Sequence, residues 1–220
     1  MNRQRGSRAV ALPVAAIALL SLAGCGDAPL LPRDTVVPVS VVTQYFSGVD
    51  KEASTGPNAT SVGKPIASRS VIFASADGKK KVTLSVDQYA SVSDAAAAYR
   101  TAVQGSKAAP GFKPGVSPKL GQEAFAGTSQ VGAEMHFGLG ARDGRLIMSA
   151  THAGDIPVTP DNSNSLISLG GVELDTAKQV LGPKLWSVSP RRGRKPPSET
   201  HDPPHAEERP QAASRSMGHP

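Results

Sequence analysis

Two Asp-Gly dipeptides, at residues 77–78 and 143–144, constrain the fold of this chain more than any other feature. Each lies between segments in which apolar and polar residues alternate. Asp-Gly is a preferred sequence for a two-residue hairpin turn because both turn positions need positive φ. The sequence therefore predicts two β-hairpins, one over residues 68–89 and one over residues 130–153.

The pairing within each predicted hairpin agrees with the apolar pattern. The first Asp-Gly turn sets Val71 opposite Leu84, and the second sets Leu139 opposite Met148. Residues opposite each other point to the same side of a sheet, so each hairpin gains one apolar and one largely polar face. This pattern is typical of an antiparallel sheet that is covered on one side.

A helix is predicted after each hairpin. Ser91 begins a capping-box-like sequence that ends at Asp94, and apolar residues then recur at helical spacing until Gly105. A second apolar stripe runs over residues 172–181, and its start is left open as far back as residue 163. The order of elements predicts an α+β fold: an antiparallel sheet built from two Asp-Gly hairpins, with two helices on one face.

The rest of the chain divides into segments around this domain. Residues 36–46 are rich in β-branched side chains and predict a first strand, and residues 50–65 are typical of a low-complexity loop. The folded domain is predicted to span residues 36–186. The Pro-containing residues 25–35 predict a tether, and residues 187–220, which hold seven of the 19 prolines, predict a disordered tail.

The first 24 residues have the three-part layout of an export signal. Arg3, Arg5 and Arg8 precede fifteen uncharged residues, and small residues then lead to Cys25, the single cysteine of the chain. The apolar stretch is shorter than the ~20 residues that a transmembrane helix needs. Residues 1–24 therefore predict a cleaved signal peptide rather than a membrane span.

The sequence Leu22-Ala23-Gly24-Cys25 resembles the lipobox of bacterial lipoproteins. In that family a diacylglycerol is attached to the cysteine thiol and the signal is cut just before the cysteine. The resemblance implies that Cys25 is the lipidation site and that the protein is attached to the cell membrane or envelope on its extracytoplasmic face. An ordinary secretory signal with an incidental cysteine, or an uncleaved anchor, remains the alternative.

The segment from Leu120 to Phe125, LGQEAF, lies between the two hairpins. It resembles the segment that precedes a hairpin in small actinobacterial envelope lipoproteins and in the extracellular sensor domains of some of their kinases, which have a PsbP/Mog1-like α+β sandwich. The resemblance implies a small envelope domain of binding or sensing type and carries over no catalytic motif. The alternative is that Phe125 simply anchors a connecting loop in the core.

Two histidines of the second hairpin are the obvious candidates for metal ligands. The predicted register directs His136 and His152 to opposite faces, whereas a three-residue loop with a bulge would bring both to one face. No third ligand follows at a suitable spacing, so the sequence predicts no metal site and no cofactor. We expect His136 on the polar face and His152 at the frayed end of a strand. Ser61 and Lys64 match the S-x-x-K pattern of serine enzymes, but the surrounding Gly and Pro residues argue against the helix that must align them.

The carboxylates offer no convincing catalytic pair. Nothing in the sequence brings Glu123 and Glu134 to one cleft, and exposed carboxylates are the default. Glu173 and Asp175 are expected at the start of a helix, where negative charge complements the helix dipole. We therefore expect a non-enzymatic protein.

The net charge of +6 arises mostly outside the predicted domain. The signal and residues 191–220 hold nine of the 24 basic residues, which leaves 15 bases and 14 acids in residues 25–190 and no support for a nucleic-acid partner. Residues 79–81, all lysine, and the pair Arg142 and Arg145 lie at the two hairpin tips. They could contact anionic lipid or wall polymer, or simply keep the turns soluble.

The sequence thus predicts a lipid-anchored envelope lipoprotein whose domain binds or senses a small ligand or an envelope protein. A structural lipoprotein that makes protein contacts only is the first alternative. An envelope hydrolase is the second.

Overall fold

The computed structural model of the protein describes residues 28–182. The signal peptide, Cys25 and the C-terminal tail that the sequence predicts all lie outside these residues. The helices are Val39–Tyr45 (α1), Val92–Ala108 (α2) and Pro160–Leu181 (α3), and a short 3-10 turn covers Arg33–Thr35. The strands are Lys51–Gly56 (β1), Ala67–Ala74 (β2), Lys80–Gln88 (β3), Lys113–Pro114 (β4), Glu123–Val131 (β5), Glu134–Asp143 (β6) and Leu146–Gly154 (β7).

All seven strands form one antiparallel sheet in the order β1-β2-β3-β7-β6-β5-β4. β3 pairs with β7, so the two hairpins lie side by side at the centre of the sheet. The predicted α+β class, with an antiparallel sheet built around two hairpins, is confirmed. No helix among residues 28–182 is long and apolar enough to span a membrane.

The two hairpins differ in how closely they follow the predicted register. In the first, Val71 lies opposite Leu84 as predicted. In the second, Leu139 lies opposite Ala150 instead of Met148. A displacement of two residues leaves every side chain on its predicted face, so the apolar side of the hairpin is unchanged.

The second hairpin is displaced because its turn consists of Gly144 and Arg145 rather than of the Asp-Gly pair. Asp143 stays in the ladder opposite Leu146. Its carboxylate Oδ2 lies 2.9 Å from the Nζ of Lys178 on α3, and this ion pair holds Asp143 at the strand end. Gly144 takes the positive φ, at 56°.

The N-terminal part of the predicted domain was assigned wrongly. Residues 36–46 do not form a strand, because after Pro38 the chain enters α1, whose Val42 is fully buried in the core. Packing of the helix thus overrides the strand preference of its β-branched side chains. The predicted loop over residues 50–65 contains β1, an exposed edge strand that is interrupted by a bulge between Glu52 and Ser54.

The helices cover opposite faces of the sheet, not one face as predicted. On one side, Gly170 of α3 packs against Leu139 and Met148, so closely that a Cβ there would crowd Leu139. On the other side, Tyr99 of α2 packs with Ile147 in a separate apolar cluster. The polar face of the hairpins therefore carries enough apolar surface at one end to hold a second helical layer, which the alternation pattern does not reveal.

Both ends of the described chain lie at one end of the sheet. The segment before the 3-10 turn pairs with β2, where Ser68 N donates to Pro29 O at 2.9 Å and Leu31 N donates to Ser68 O at 3.1 Å. Leu31 is buried, so this part of the predicted tether is packed against the domain. At the other terminus, α3 ends near Asp143 through its Lys178 contact.

We call the end of the sheet with Ser68 and Asp143 the terminal end. The opposite end, with the β2–β3 turn around Asp77 and the last residue of β7, Gly154, is the far end. The two hairpin tips that carry the basic residues therefore lie at opposite ends of the sheet. They cannot both contact one flat surface.

The edges of the sheet are both irregular. At one edge the guanidinium of Arg33 forms an ion pair with Glu52 of the bulged strand β1. At the other edge β4 has only two residues, the second of which is Pro114.

Gly154 lies in close contact with the β2–β3 turn, and we predict that replacing it by alanine destabilises the fold strongly. Its φ is +76° and a Cβ there would overlap the carbonyl oxygen of Lys79. Gly78 has a similar φ of +74°, but a Cβ there meets nothing within 4 Å. Gly78→Ala should therefore cost about 1 kcal/mol from backbone strain alone, and Gly154→Ala clearly more.

Urea unfolding measures the loss of stability in the two variants. Both share the cost of backbone strain, but only Gly154→Ala adds the overlap with the carbonyl oxygen of Lys79. Equal losses of stability would show that β7 and the β2–β3 turn are not in tight contact.

Candidate functional site

An open cleft of about 470 Å³ lies at the far end of the sheet. It forms where the α1–β1 loop, the β2–β3 turn and the β7–α3 loop meet. Its volume is in the range of small-molecule sites. The residues that line it are Gly48, Asp50, Ser75, Ala76, Asp77, Lys79, Lys80 and Asp155.

The β2–β3 turn forms one wall of this cleft and is held by its own polar groups. Asp77 Oδ1 accepts hydrogen bonds from the hydroxyl of Ser75 and from the backbone N–H of Lys79, the latter at 3.1 Å. These two bonds, with that of Ser75 first, lower the pKa of the Asp77 carboxyl from its ordinary value. The ammonium of Lys80 donates to Ser47 O at 3.0 Å and joins the turn to the α1–β1 loop.

The cleft combines both signs of charge. Asp50, Asp77 and Asp155 supply carboxylates, and Lys79 supplies an exposed ammonium group. Such a surface can bind a polar ligand or a partner loop that carries complementary charges of both signs. No group of three His, Cys, Asp or Glu residues within residues 28–182 is arranged to hold a metal ion.

A buried carboxylate organises the loop over residues 57–65, which we call the Asn58 loop. Asp87 of β3 accepts hydrogen bonds from Asn58 Nδ2 at 2.9 Å and from Ser61 Oγ at 2.6 Å. Burial raises the pKa of Asp87 to about 6, and the two hydrogen bonds oppose that rise. Beside it, the hydroxyl of Tyr89 donates to Val62 O at 2.6 Å.

These contacts show how Ser61 and Lys64, the residues of the S-x-x-K match, are placed. The Asn58 loop consists of turns and irregular backbone, so the expectation that no helix aligns Ser61 with Lys64 is confirmed. The Ser61 hydroxyl is used to hold the loop on Asp87. Sequence reasoning missed Asp87 because it occupies a position on the polar face of β3, where exposure is expected.

The two histidines lie on opposite faces, as predicted, but His152 is not at a frayed end. Its ring is fully buried between Phe46 and Phe137, with ring centroids at 5.7 and 5.8 Å. Burial, and to a lesser degree the charge of His136, lowers the pKa of His152 to about 4. The imidazole is therefore a neutral part of the core at neutral pH. His136 lies on the other face, with its Nε2 3.5 Å from Glu134.

Glu173 is a buried carboxyl in the middle of α3, not a dipole-stabilising residue at a helix start. α3 begins twelve residues before the predicted stripe, at Pro160, after Thr159 caps it by accepting from Asn162 N at 3.2 Å. Glu173 is fully buried and its Oε2 accepts from Val37 N at 2.9 Å. Burial raises its pKa to about 8, against the lowering effects of this bond and of Arg33.

The remaining candidate residues do not form one cluster. Glu123, at the start of β5, forms an ion pair with Arg142 Nε at 2.6 Å, and Glu134 lies at the other end of the same hairpin. Arg145 Nε donates to Tyr89 O at 2.7 Å. Phe125 packs edge-on against Tyr99 with ring centroids 6.3 Å apart, so its anchoring contact is made with α2.

We predict that Ser61→Ala destabilises the protein more at pH 8 than at pH 5. At pH 8 Asp87 is ionised, and loss of one of its two hydrogen bonds leaves a buried carboxylate oxygen unsatisfied, at a cost of about 1–3 kcal/mol. At pH 5 the carboxyl is largely protonated and the loss is smaller. Urea unfolding at the two pH values measures the difference.

Ser117→Ala, in an exposed loop, is the control and should change stability by less than about 0.5 kcal/mol. A cost for Ser61→Ala that is the same at both pH values would contradict the role assigned to Asp87.

We predict that Glu173→Gln flattens the pH dependence of stability between about pH 4.5 and pH 8. The folded state keeps a proton on Glu173 that the unfolded chain releases above its ordinary pKa of 4.5. Stability supplied by this carboxyl is therefore complete below pH 4.5 and is lost as pH rises towards 8, by at most about 1.4 kcal/mol per pH unit. Gln cannot ionise, and its carbonyl can still accept from Val37 N.

Thermal unfolding of wild type and variant across this range tests the assignment. Parallel stability curves for the two proteins would show that Glu173 does not titrate in this way.

No protein-family model and no curated protein sequence matches this chain. Among solved structures, the chain is similar to the extracellular domain of PknH from Mycobacterium tuberculosis, with 9% identity and a TM-score of 0.45 over 64% of this chain and 93% of that one. It is also similar to LpqN of Mycobacterium tuberculosis, which is involved in cell envelope biogenesis, with 13% identity and a TM-score of 0.28 over 47% of this chain and 66% of that one. Both are mycobacterial envelope proteins, and these values assign the chain to no family.

Proposed function

We propose that this chain is a lipid-anchored protein of the bacterial cell envelope, whose domain binds a ligand or an envelope component at the far-end cleft without catalysing a reaction. The observation that carries this proposal is the placement of the cleft at the end of the sheet opposite to both ends of the described segment, residues 28–182. A domain held to a membrane by its N-terminus presents such a cleft away from the bilayer.

The length of chain between Cys25 and the packed domain makes this placement meaningful. Leu31 is six residues after Cys25, and an extended chain spans at most about 3.6 Å per residue, so the two are separated by at most about 22 Å. A lipid on Cys25 therefore holds the terminal end of the sheet close to the bilayer surface. Two or three acyl chains make such attachment stable, since each buried CH₂ contributes about 0.8 kcal/mol.

The positions of the titratable groups favour binding over catalysis. Asp87, His152 and Glu173 have strongly shifted pKa values, and burial is the main cause of each shift. Each of them is enclosed within the fold, and none lines the cleft. An acid–base catalyst has its shifted groups at the surface where the substrate binds. Asp77 does line the cleft, but its hydrogen bonds lower its pKa and so keep it ionised. The cleft thus offers exposed charges and backbone groups, which are suited to recognition.

Lipidation is tested by replacing Cys25. We expect wild-type protein to carry a diacylglycerol on an N-terminal Cys25 and to need detergent for extraction, and Cys25→Ala protein to remain unlipidated and uncut. Mass spectrometry of the N-terminal peptide and extraction in high salt measure both properties. Normal processing of Cys25→Ala, with retention in the membrane fraction at high salt, would contradict the proposal.

Binding is tested by native mass spectrometry of molecules that co-purify with the full chain. We expect Lys79→Gln and Asp155→Asn to lose a co-purifying ligand at least about tenfold, because both side chains line the cleft. Lys107→Gln, an exposed lysine near the end of α2, is the matched control and should retain the ligand. Equal retention in all three variants would exclude the cleft, and capture of a protein alone would favour the structural lipoprotein.

A further inference from the structure

Two exposed apolar side chains lie together at the terminal end of the sheet. Leu30 is 52% exposed and Ile66 is 43% exposed, and both are among the few large apolar residues of the described chain that face solvent to this degree. Leu30 forms a parallel bridge with Ser68, and Ile66 precedes Ser68 by two residues at the start of β2. Lys64, also exposed, is two residues further back.

The backbone holds this group of residues firmly in place. Pro29 and Leu31, on either side of Leu30, are both hydrogen-bonded to Ser68. The N–H of Ile66 donates to Gln88 O at 2.7 Å. Lys64 belongs to the Asn58 loop, which Asp87 fixes to the sheet. The two apolar side chains are thus displayed on rigid backbone, without a covering element from residues 28–182.

We propose that Leu30, Ile66 and Lys64 form a docking patch for the lipid bilayer. The inference rests on the proposed lipidation of Cys25, which precedes Leu30 by five residues. Five residues span at most about 18 Å, so the patch cannot move far from the surface into which the lipid is inserted. Leu30 and Ile66 enter the acyl boundary, and Lys64 lies among anionic headgroups with its methylene chain along the apolar surface.

The tether explains why so small a patch is sufficient. Two apolar side chains and one lysine are too few to hold a free protein on a membrane. Once the lipid is inserted, contact between patch and bilayer is intramolecular, and the short connection sets a high effective concentration. The lipid then supplies the attachment, and the patch fixes the tilt of the domain so that the far-end cleft points outward.

The competing occupant of the patch is the C-terminal continuation of the chain. α3, which precedes that continuation, ends at the same end of the sheet as the patch. The bilayer is the better match because the five residues from Cys25 to Leu30 keep the patch within about 18 Å of the inserted lipid.

A single fluorescent label tests the patch, because Cys25 is the only cysteine and its thiol is used when it is lipidated. Lipidated full-length protein with Ile66→Cys is labelled with nitrobenzoxadiazole and placed in phosphatidylglycerol–phosphatidylethanolamine vesicles. Met135→Cys is the matched control, because Met135 is 40% exposed and lies beside the β5–β6 turn at the far end. We expect quenching by doxyl-labelled lipids to be at least about fivefold stronger at position 66, and adding Leu30→Asp to remove most of it.

Lipidated protein whose label at position 66 is quenched no more than that at position 135 would overturn the patch and leave the anchor intact. An N-terminal peptide without lipid would overturn the anchor and the patch together. A label at position 66 that is shielded without vesicles and becomes exposed on deletion of residues 183–220 would make the C-terminal segment the occupant and overturn the bilayer assignment.

Discussion

The pairing of β3 with β7 is the interaction on which the rest of the structure depends. The two strands match along nine residue pairs, from Lys80 with Gly154 to Gln88 with Leu146, and join two hairpins that are far apart in sequence. Both strands are central, so their apolar residues face α3 on one side and, near the terminal end, α2 on the other. The ladder also places the β2–β3 turn against the end of β7, which creates the far-end cleft.

Buried polar groups hold the N-terminal segment to this sheet. Leu31 O accepts from Arg69 Nε at 2.6 Å, Leu31 N donates to Ser68 O, and Val37 N donates to Glu173. Each of these groups costs desolvation free energy, and Glu173 Oε1 has no hydrogen-bond partner. In return, these directional hydrogen bonds fix the path of the irregular N-terminal segment across the sheet. A purely apolar contact would not specify that path.

The fold was predictable wherever a local pattern decided the structure. Alternation and the Asp-Gly turn gave the register of the first hairpin, whereas the second is displaced by two residues and its Asp143 pairs with Lys178, a contact that no local pattern reveals. The strand propensity of residues 36–46 was overridden by helix packing. Glu173 is seven residues after the buried Leu166, within the stripe of α3. A helix that begins before the Gly170-Gly171 pair places Glu173 on the same buried face as Leu166, and so predicts its burial.

The candidate site was less predictable than the fold, because it depends on which loops meet. The cleft takes its walls from three connections that are distant in sequence. The Asn58 loop has a low-complexity sequence, although it covers Asp87. Loop residues carry little periodic signal, so their partners emerge only when the sheet brings them together. Cys25 is the opposite case, since the prediction of its lipidation rests on its immediate neighbours in the chain.

The irregular edges of the sheet affect how neighbouring copies of this domain interact when they are crowded together. A regular edge strand offers a row of free backbone groups with which a neighbouring copy can pair. Here one edge is broken by the bulge at Glu52 and blocked by its pairing with Arg33, and the other is a two-residue strand that ends in Pro114. Crowded copies can therefore lie side by side without pairing edge to edge into a continuous sheet.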